Sequence, residues 1–139
     1  MVIQETLRLY PPIPSVSREA LQDLKLGDID VPKGVNVVTM MVSLHHDPEI
    51  WGADAHVFNP GRFANGVSGA CELPHVYMPF GAGPRVCLGQ HFAMAELKIL
   101  LALVLSKFSL SLSPAYRHSP VWKVSIRPRF GVNLLVEKL

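Results

Sequence analysis

Residues 80–89 read FGAGPRVCLG, with one cysteine, Cys87, set among three glycines, a proline and an arginine. Glycine tolerates positive φ and close backbone approach where a Cβ would not, so the stretch is suited to presenting a sulfur. From Leu88 to about Lys107 the apolar positions cover most of a helical circumference, which predicts a long helix buried on nearly all sides. Cys87 therefore stands just ahead of a helix N-terminus, where unsatisfied N–H groups and the positive end of the helix dipole favour an anionic sulfur, and Arg85 adds positive charge. Three roles fit the residues alone. The first is inert packing, usual for a free cysteine. The second is a nucleophile with His91, one turn along the helix, as base, although no partner motif accompanies it. The third is ligation of a metal carried by a large flat cofactor, with Phe80 covering the sulfur and excluding water.

Working outward, Met1 to Tyr10 reads as a helix stopped by Pro11, Pro12 and Pro14. Residues 16–43 read as short strands, with a type I turn over Val31-Pro32-Lys33-Gly34 followed by the β-branched run VNVVTMMVS. Asp47 is placed to cap a short helix that opens on Pro48 and ends at Gly52, and Asn59-Pro60 repeats the pattern. Residues 64–79 read as an irregular surface loop, and strands and turns are expected from Phe108 onward. Nothing marks a second domain, so residues 1–139 form one unit.

The composition narrows the function classes. Thirteen basic and eleven acidic residues are too balanced to argue for nucleic acid. Two cysteines are no disulfide framework and point to a reducing compartment. No signal peptide or membrane span is legible, since the most apolar stretch, Ile99 to Leu105, is far too short. With 49% hydrophobic residues, so short a chain is expected to hold apolar surface that belongs against something else. His45 and His46, as strand neighbours, would point to opposite faces and lack a third ligand, so they read as structural or exposed. Trp51, Trp122 and the Met40–Met41 pair read as packing, and Cys71 as a lone loop cysteine.

Phe80, Gly83, Arg85, Cys87 and Gly89 match FxxGxRxCxG, and Ala93 is the small residue expected four positions on. Glu5-Thr6-Leu7-Arg8 fits ExxR, and Phe58-Asn59-Pro60-Gly61-Arg62-Phe63 fits FxPxRF. HHDPEIWGADA, at 45–55, lies between them. On these motifs, in this order and spacing, the chain resembles the cytochrome P450 family, and its wording is similar to the plant group acting on gibberellins, cytokinins, brassinosteroids and triterpenoids. The likeness covers the whole chain but only the C-terminal part of a family member. It implies a fold that is mainly α with small β-sheets, the C-terminal, proximal haem side of the cytochrome P450 fold.

The resemblance also implies roles. Cys87 is the proximal thiolate ligand of haem b (iron protoporphyrin IX), which favours O–O cleavage. Arg85 pairs with a haem propionate, as a guanidinium can through two parallel bonds. Phe80 lies over the sulfur, Gly83 and Gly89 let the loop approach the ring, and Ala93 keeps the helix close. Arg18 stands where many relatives hold a second propionate, or is a surface arginine. Glu5, Arg8 and Arg62 form a buried charge network that braces the haem loop, a structural role, and no residue of this chain is assigned to catalysis itself. Gly61 departs from the usual glutamate and His46 from a common arginine, while Arg127 and Arg129 stand where similar plant sequences tend to be acidic.

For the longer parent, the resemblance implies a monooxygenase that inserts one atom of O2 into a small lipophilic substrate, a gibberellin-like diterpenoid or other plant isoprenoid. Electrons come from NADPH through NADPH–cytochrome P450 reductase at the cytosolic face of the endoplasmic reticulum membrane. The chain itself is expected to be a truncated piece, without the membrane anchor and the distal oxygen-activating helix. Its substrate contacts would come from the segment after Pro14 and the turn near Val121. Alone it is expected to be inactive, as a haem-binding module or as a remnant that does not fold.

Overall fold

A computed structural model describes all residues, 1–139. Helix α1 (Val2–Leu9) leads into strands β1 (Ser15–Glu19), β2 (Leu24–Leu26), β3 (Ile29–Val31) and β4 (Asn36–Met40). Two short helices follow, α2 (Met41–His45) and α3 (Pro48–Trp51), and then 3-10 turns at Pro60–Phe63, Val67–Gly69, Pro74–Val76 and Gly83–Arg85. The long helix α4 (Gln90–Leu105) precedes β5 (Phe108–Leu112), β6 (Pro120–Trp122), β7 (Ile126–Pro128) and β8 (Leu134–Lys138). The strands form four separate two-stranded antiparallel sheets, β1–β4, β2–β3, β5–β8 and β6–β7. Helices with small sheets are the architecture the motifs imply.

Local chemistry accounts for most boundaries. Asp47 accepts the Glu49 N–H at 2.9 Å, Pro48 opens α3, and Gly52 ends it at φ +87°. The turn ahead of β4 closes one residue later than the type I pattern predicts. Val35 N–H donates to Pro32 C=O, which puts Gly34 third in the turn at φ +85°, a conformation open to glycine. The predicted strand over 35–43 ends at Met40, and Met41–His45 coils instead. Val42 N–H then reaches Pro14 C=O, and Trp51 Nε1 donates to Leu44 C=O at 3.0 Å. A short apolar run does not by itself separate strand from helix, and here these tertiary bonds decide.

The core is Trp51, Ala55, Phe63 and Ala70, with Ile50, Val67, Cys71 and Tyr77 packed against it. Residues 64–79 are therefore more than a surface loop: two 3-10 turns carry Ala70 and Val76 inward. Burying a Trp or Phe side chain contributes about 2–3 kcal/mol, so these four residues hold α3 and the Pro60–Phe63 turn under α1. Two expectations fail. Trp122 and Met40 are largely exposed, whereas Met41 is buried. The long helix α4 has no buried residue, with Ile99 59% and Leu103 53% exposed. Its all-round apolarity is not met by packing within these 139 residues.

Candidate functional site

The loop around Cys87 is closed on itself by its backbone. Gly81 N–H donates to Met78 C=O at 2.9 Å, Val86 N–H to Gly83 C=O at 3.1 Å, and Cys87 N–H to Phe80 C=O at 2.8 Å. Gly81 and Gly83 sit at φ +75° and +69°, values that favour glycine. Gly89 does not need a special φ; a Cβ there would stand 3.9 Å from the Cys87 sulfur, so its absence leaves the flank of the sulfur open. Cys87 is exposed, as are Arg85, Val86 and Leu88, the last completely. Phe80 is half-buried beside Gln90 and Met94. Ala93 lies in the first turn of α4, its N–H on Gly89 C=O. Arg18 is on β1, paired across to Val37, exposed and bonded only to Ser17 C=O.

Behind this loop lies a buried ionic network. Glu5 and Arg8, at i and i+3 on α1, are both fully buried and pair through two bonds: Arg8 Nε to Glu5 Oε2 at 2.7 Å and Arg8 Nη2 to Glu5 Oε1 at 2.8 Å. Arg8 Nη1 also donates to His45 C=O at 2.6 Å and Ala55 C=O at 2.7 Å, and the guanidinium lies 5.1 Å above the Trp51 ring. Asn59 N–H donates to Glu5 Oε1 at 2.9 Å. Burial works to raise the Glu5 pKa, but the bonds from Arg8 and Asn59 and the charges of Arg8 and Arg62 outweigh it and hold the carboxyl below 4.5. Arg62 joins the network loosely. Its Nε is 3.7 Å from Glu5 Oε1 and has no hydrogen-bond partner, while Nη1 donates to Trp51 C=O and Nη2 pairs with Asp54 at 2.9 Å.

His45 completes the arrangement; the sequence reading, structural or exposed, holds in its first half but gave neither its place nor its partners. It ends α2 rather than standing in a strand, and it is fully buried. Met78 N–H donates to its Nε2 at 3.1 Å, which leaves Nδ1 to carry the proton and donate to Arg8 C=O at 3.2 Å. The ring stacks on Tyr77, centroids 5.6 Å apart. Burial drives its pKa down from 6.5 to about 4, against the pull of the Arg8 and Val76 carbonyls and with the help of the Arg8 and His46 charges. Tyr77 OH donates to Gln4 C=O at 3.0 Å, and burial raises its pKa. His46 turns instead to Leu9 C=O at 3.0 Å. Burial raises the Cys71 thiol as well, as befits a packed cysteine.

The loop motif, the Glu5–Arg8 pair and Arg62 thus occur together in one structure, in the order their sequence spacing gave. A family model for cytochrome P450 matches residues 1–128. The chain belongs to the cytochrome P450 family. Cytochrome P450 714C3 of Oryza sativa subsp. japonica is 59% identical over all 139 residues, which are 27% of its own length. Cytochrome P450 714A2 of Arabidopsis thaliana is 56% identical over 98% of this chain and 26% of its own. Cytochrome P450 72A397 of Kalopanax septemlobus is 48% identical over the whole chain and 27% of its own. The chain therefore spans about a quarter of the length of the curated relatives it matches. Among solved structures, the retinoic acid-bound cyanobacterial CYP120A1 superposes with a TM-score of 0.89 at 34% identity, over 99% of this chain and 32% of that one.

Proposed function

We propose that these residues form the proximal, haem-thiolate side of a monooxygenase, with Cys87 as the iron ligand. The observation that carries this is an exposed sulfur at a fixed point of a closed loop, joined by backbone to the Phe80 carbonyl. The surroundings suit haem b. Val86, Leu88 and Phe92 expose apolar surface near the sulfur, which fits a flat apolar ring, and Arg85 makes no ion pair of its own, leaving its guanidinium for a propionate. Gly83 and Gly89 keep the approach clear, Phe80 and Ala93 border it, and Arg18 is the second propionate candidate. Glu5, Arg8 and Arg62 hold the support on which the loop rests. When bound, haem supplies the oxygen activation of this family, with NADPH as the electron source through NADPH–cytochrome P450 reductase.

The substrate class proposed is a small lipophilic isoprenoid, a gibberellin-like diterpenoid as first choice. A solved relative that holds retinoic acid, itself an isoprenoid acid, supports that class, and the sequence relatives named above are plant proteins. The parent is placed at the endoplasmic reticulum membrane, facing the cytosol. No helix of these 139 residues is long and apolar enough to cross a membrane. The test is spectroscopic. Haemin is added to the chain, reduced, and exposed to carbon monoxide. A Soret band at the long wavelength of thiolate ligation, lost in Cys87→Ala, is expected. Identical spectra for the two proteins would remove Cys87 as the ligand.

A further inference from the structure

Between the ionic network and the Cys87 loop there are two side-chain links. One is Tyr77 OH on Gln4 C=O; the other is His45, which joins Arg8 C=O to Met78 N–H. Met78 is the last residue before the loop with an N–H to anchor, because Pro79 comes next, and its own C=O accepts Gly81 N–H. One continuous run of hydrogen bonds therefore leads from Arg8 through the imidazole to Met78 and on to Gly81. Two residues past Met78, the Phe80 carbonyl holds the Cys87 N–H. The ring is fixed on every side: both nitrogens are bonded, Tyr77 stacks on one face, Trp51 meets it edge-on with centroids 6.3 Å apart, and its own carbonyl is clamped by Arg8.

We propose that His45 is a positioning residue, a neutral strut that sets where the Cys87 loop leaves the folded support. This rests on the reading of Cys87 as the haem ligand for its purpose, but not for its test. The strut works in one tautomer. A proton on Nε2 would face the Met78 N–H, and the segment 76–78 would have to turn its Val76 carbonyl to the ring instead.

The test begins with the unsubstituted chain and no haem. Nitrogen NMR of the His45 ring should show a protonated Nδ1 and a bare Nε2 with through-bond coupling to the Met78 amide. A protonated Nε2 would overturn the proposal. Amide exchange then compares two variants. His45→Phe keeps the stacking and removes both bonds, and should speed exchange at Met78, Gly81 and Cys87 about tenfold while α3 and α4 stay within about twofold. His45→Gln restores an acceptor and should return Met78 to within about threefold of the parent chain. Unchanged exchange in His45→Phe, or equal acceleration along the whole chain, would overturn the strut. The haem-loaded His45→Phe chain should in addition lose part of the long-wavelength Soret band, and His45→Gln should recover it. Should the unsubstituted chain itself lack that band, the haem assignment fails while the exchange data still decide the role of His45.

Discussion

The two halves of the molecule solve opposite problems. All fifteen buried residues lie before Tyr77, and none lies in residues 77–139. The first half buries charge. Glu5 and Arg8 are taken wholly out of water, and the fold tolerates this because their bonding is nearly closed: two carboxylate oxygens receive three bonds within 3 Å, and Arg8 reaches two carbonyls besides. The second half exposes grease. α4 carries Leu97, Leu100 and Leu103 into solvent, and β8 is exposed along its length. A closed polar network is complete inside its own segment, whereas an apolar helix needs a surface brought to it.

The severest break of that contrast is Arg8→Ala. It strands Glu5 and the carbonyls of His45 and Ala55, so we expect a loss of about 3–5 kcal/mol, read as a collapsed urea midpoint. Next comes acid. Because the folded His45 pKa, about 4, lies below its ordinary 6.5, the unfolded chain takes up the proton more readily. The stability held by the neutral ring is complete above pH 6.5 and is lost as pH falls to about 4, amounting to about 3 kcal/mol. Glu5, depressed below 4.5, adds a further loss under that pH. Denaturant midpoints across pH 4 to 7 should show this fall, and His45→Gln should flatten its upper part. Asp47→Ala, which removes the cap of α3, should cost about 1 kcal/mol by the same measurement. At the far end, Leu88→Ser, at a fully exposed position, should change the stability read from the same curves by less than about 0.5 kcal/mol.

Where a sequence pattern names both the residue and its partner, the structure could be anticipated. The i, i+3 spacing of Glu5 and Arg8 puts them on one face but fits a solvated surface pair equally, and the family resemblance supplied both their burial and Arg62. The cap of α3 comes from Asp47-Pro48 alone. Where the partner is a backbone group far along the chain, the pattern carries no trace of it. His45 looks like half of a histidine doublet because its importance comes from Arg8 C=O and the Met78 N–H, 37 and 33 residues away. Met41–His45 looks like the end of a strand because only Pro14 C=O and the Trp51 indole turn it into a helix. The exposure of α4 escapes the sequence for a different reason: periodicity reports what a helix demands, not what a given chain supplies.

The hydrogen bond from Cys87 to Phe80 closes a ring of eight residues that carries the sulfur ahead of the helix. The ring also meets α4 directly, through Gln90 N–H on Cys87 C=O at 3.3 Å. Such a segment behaves as a cassette, and a host protein offering a matching two-ended opening and an acceptor for the amide of residue 78 would inherit the sulfur's orientation along with the graft.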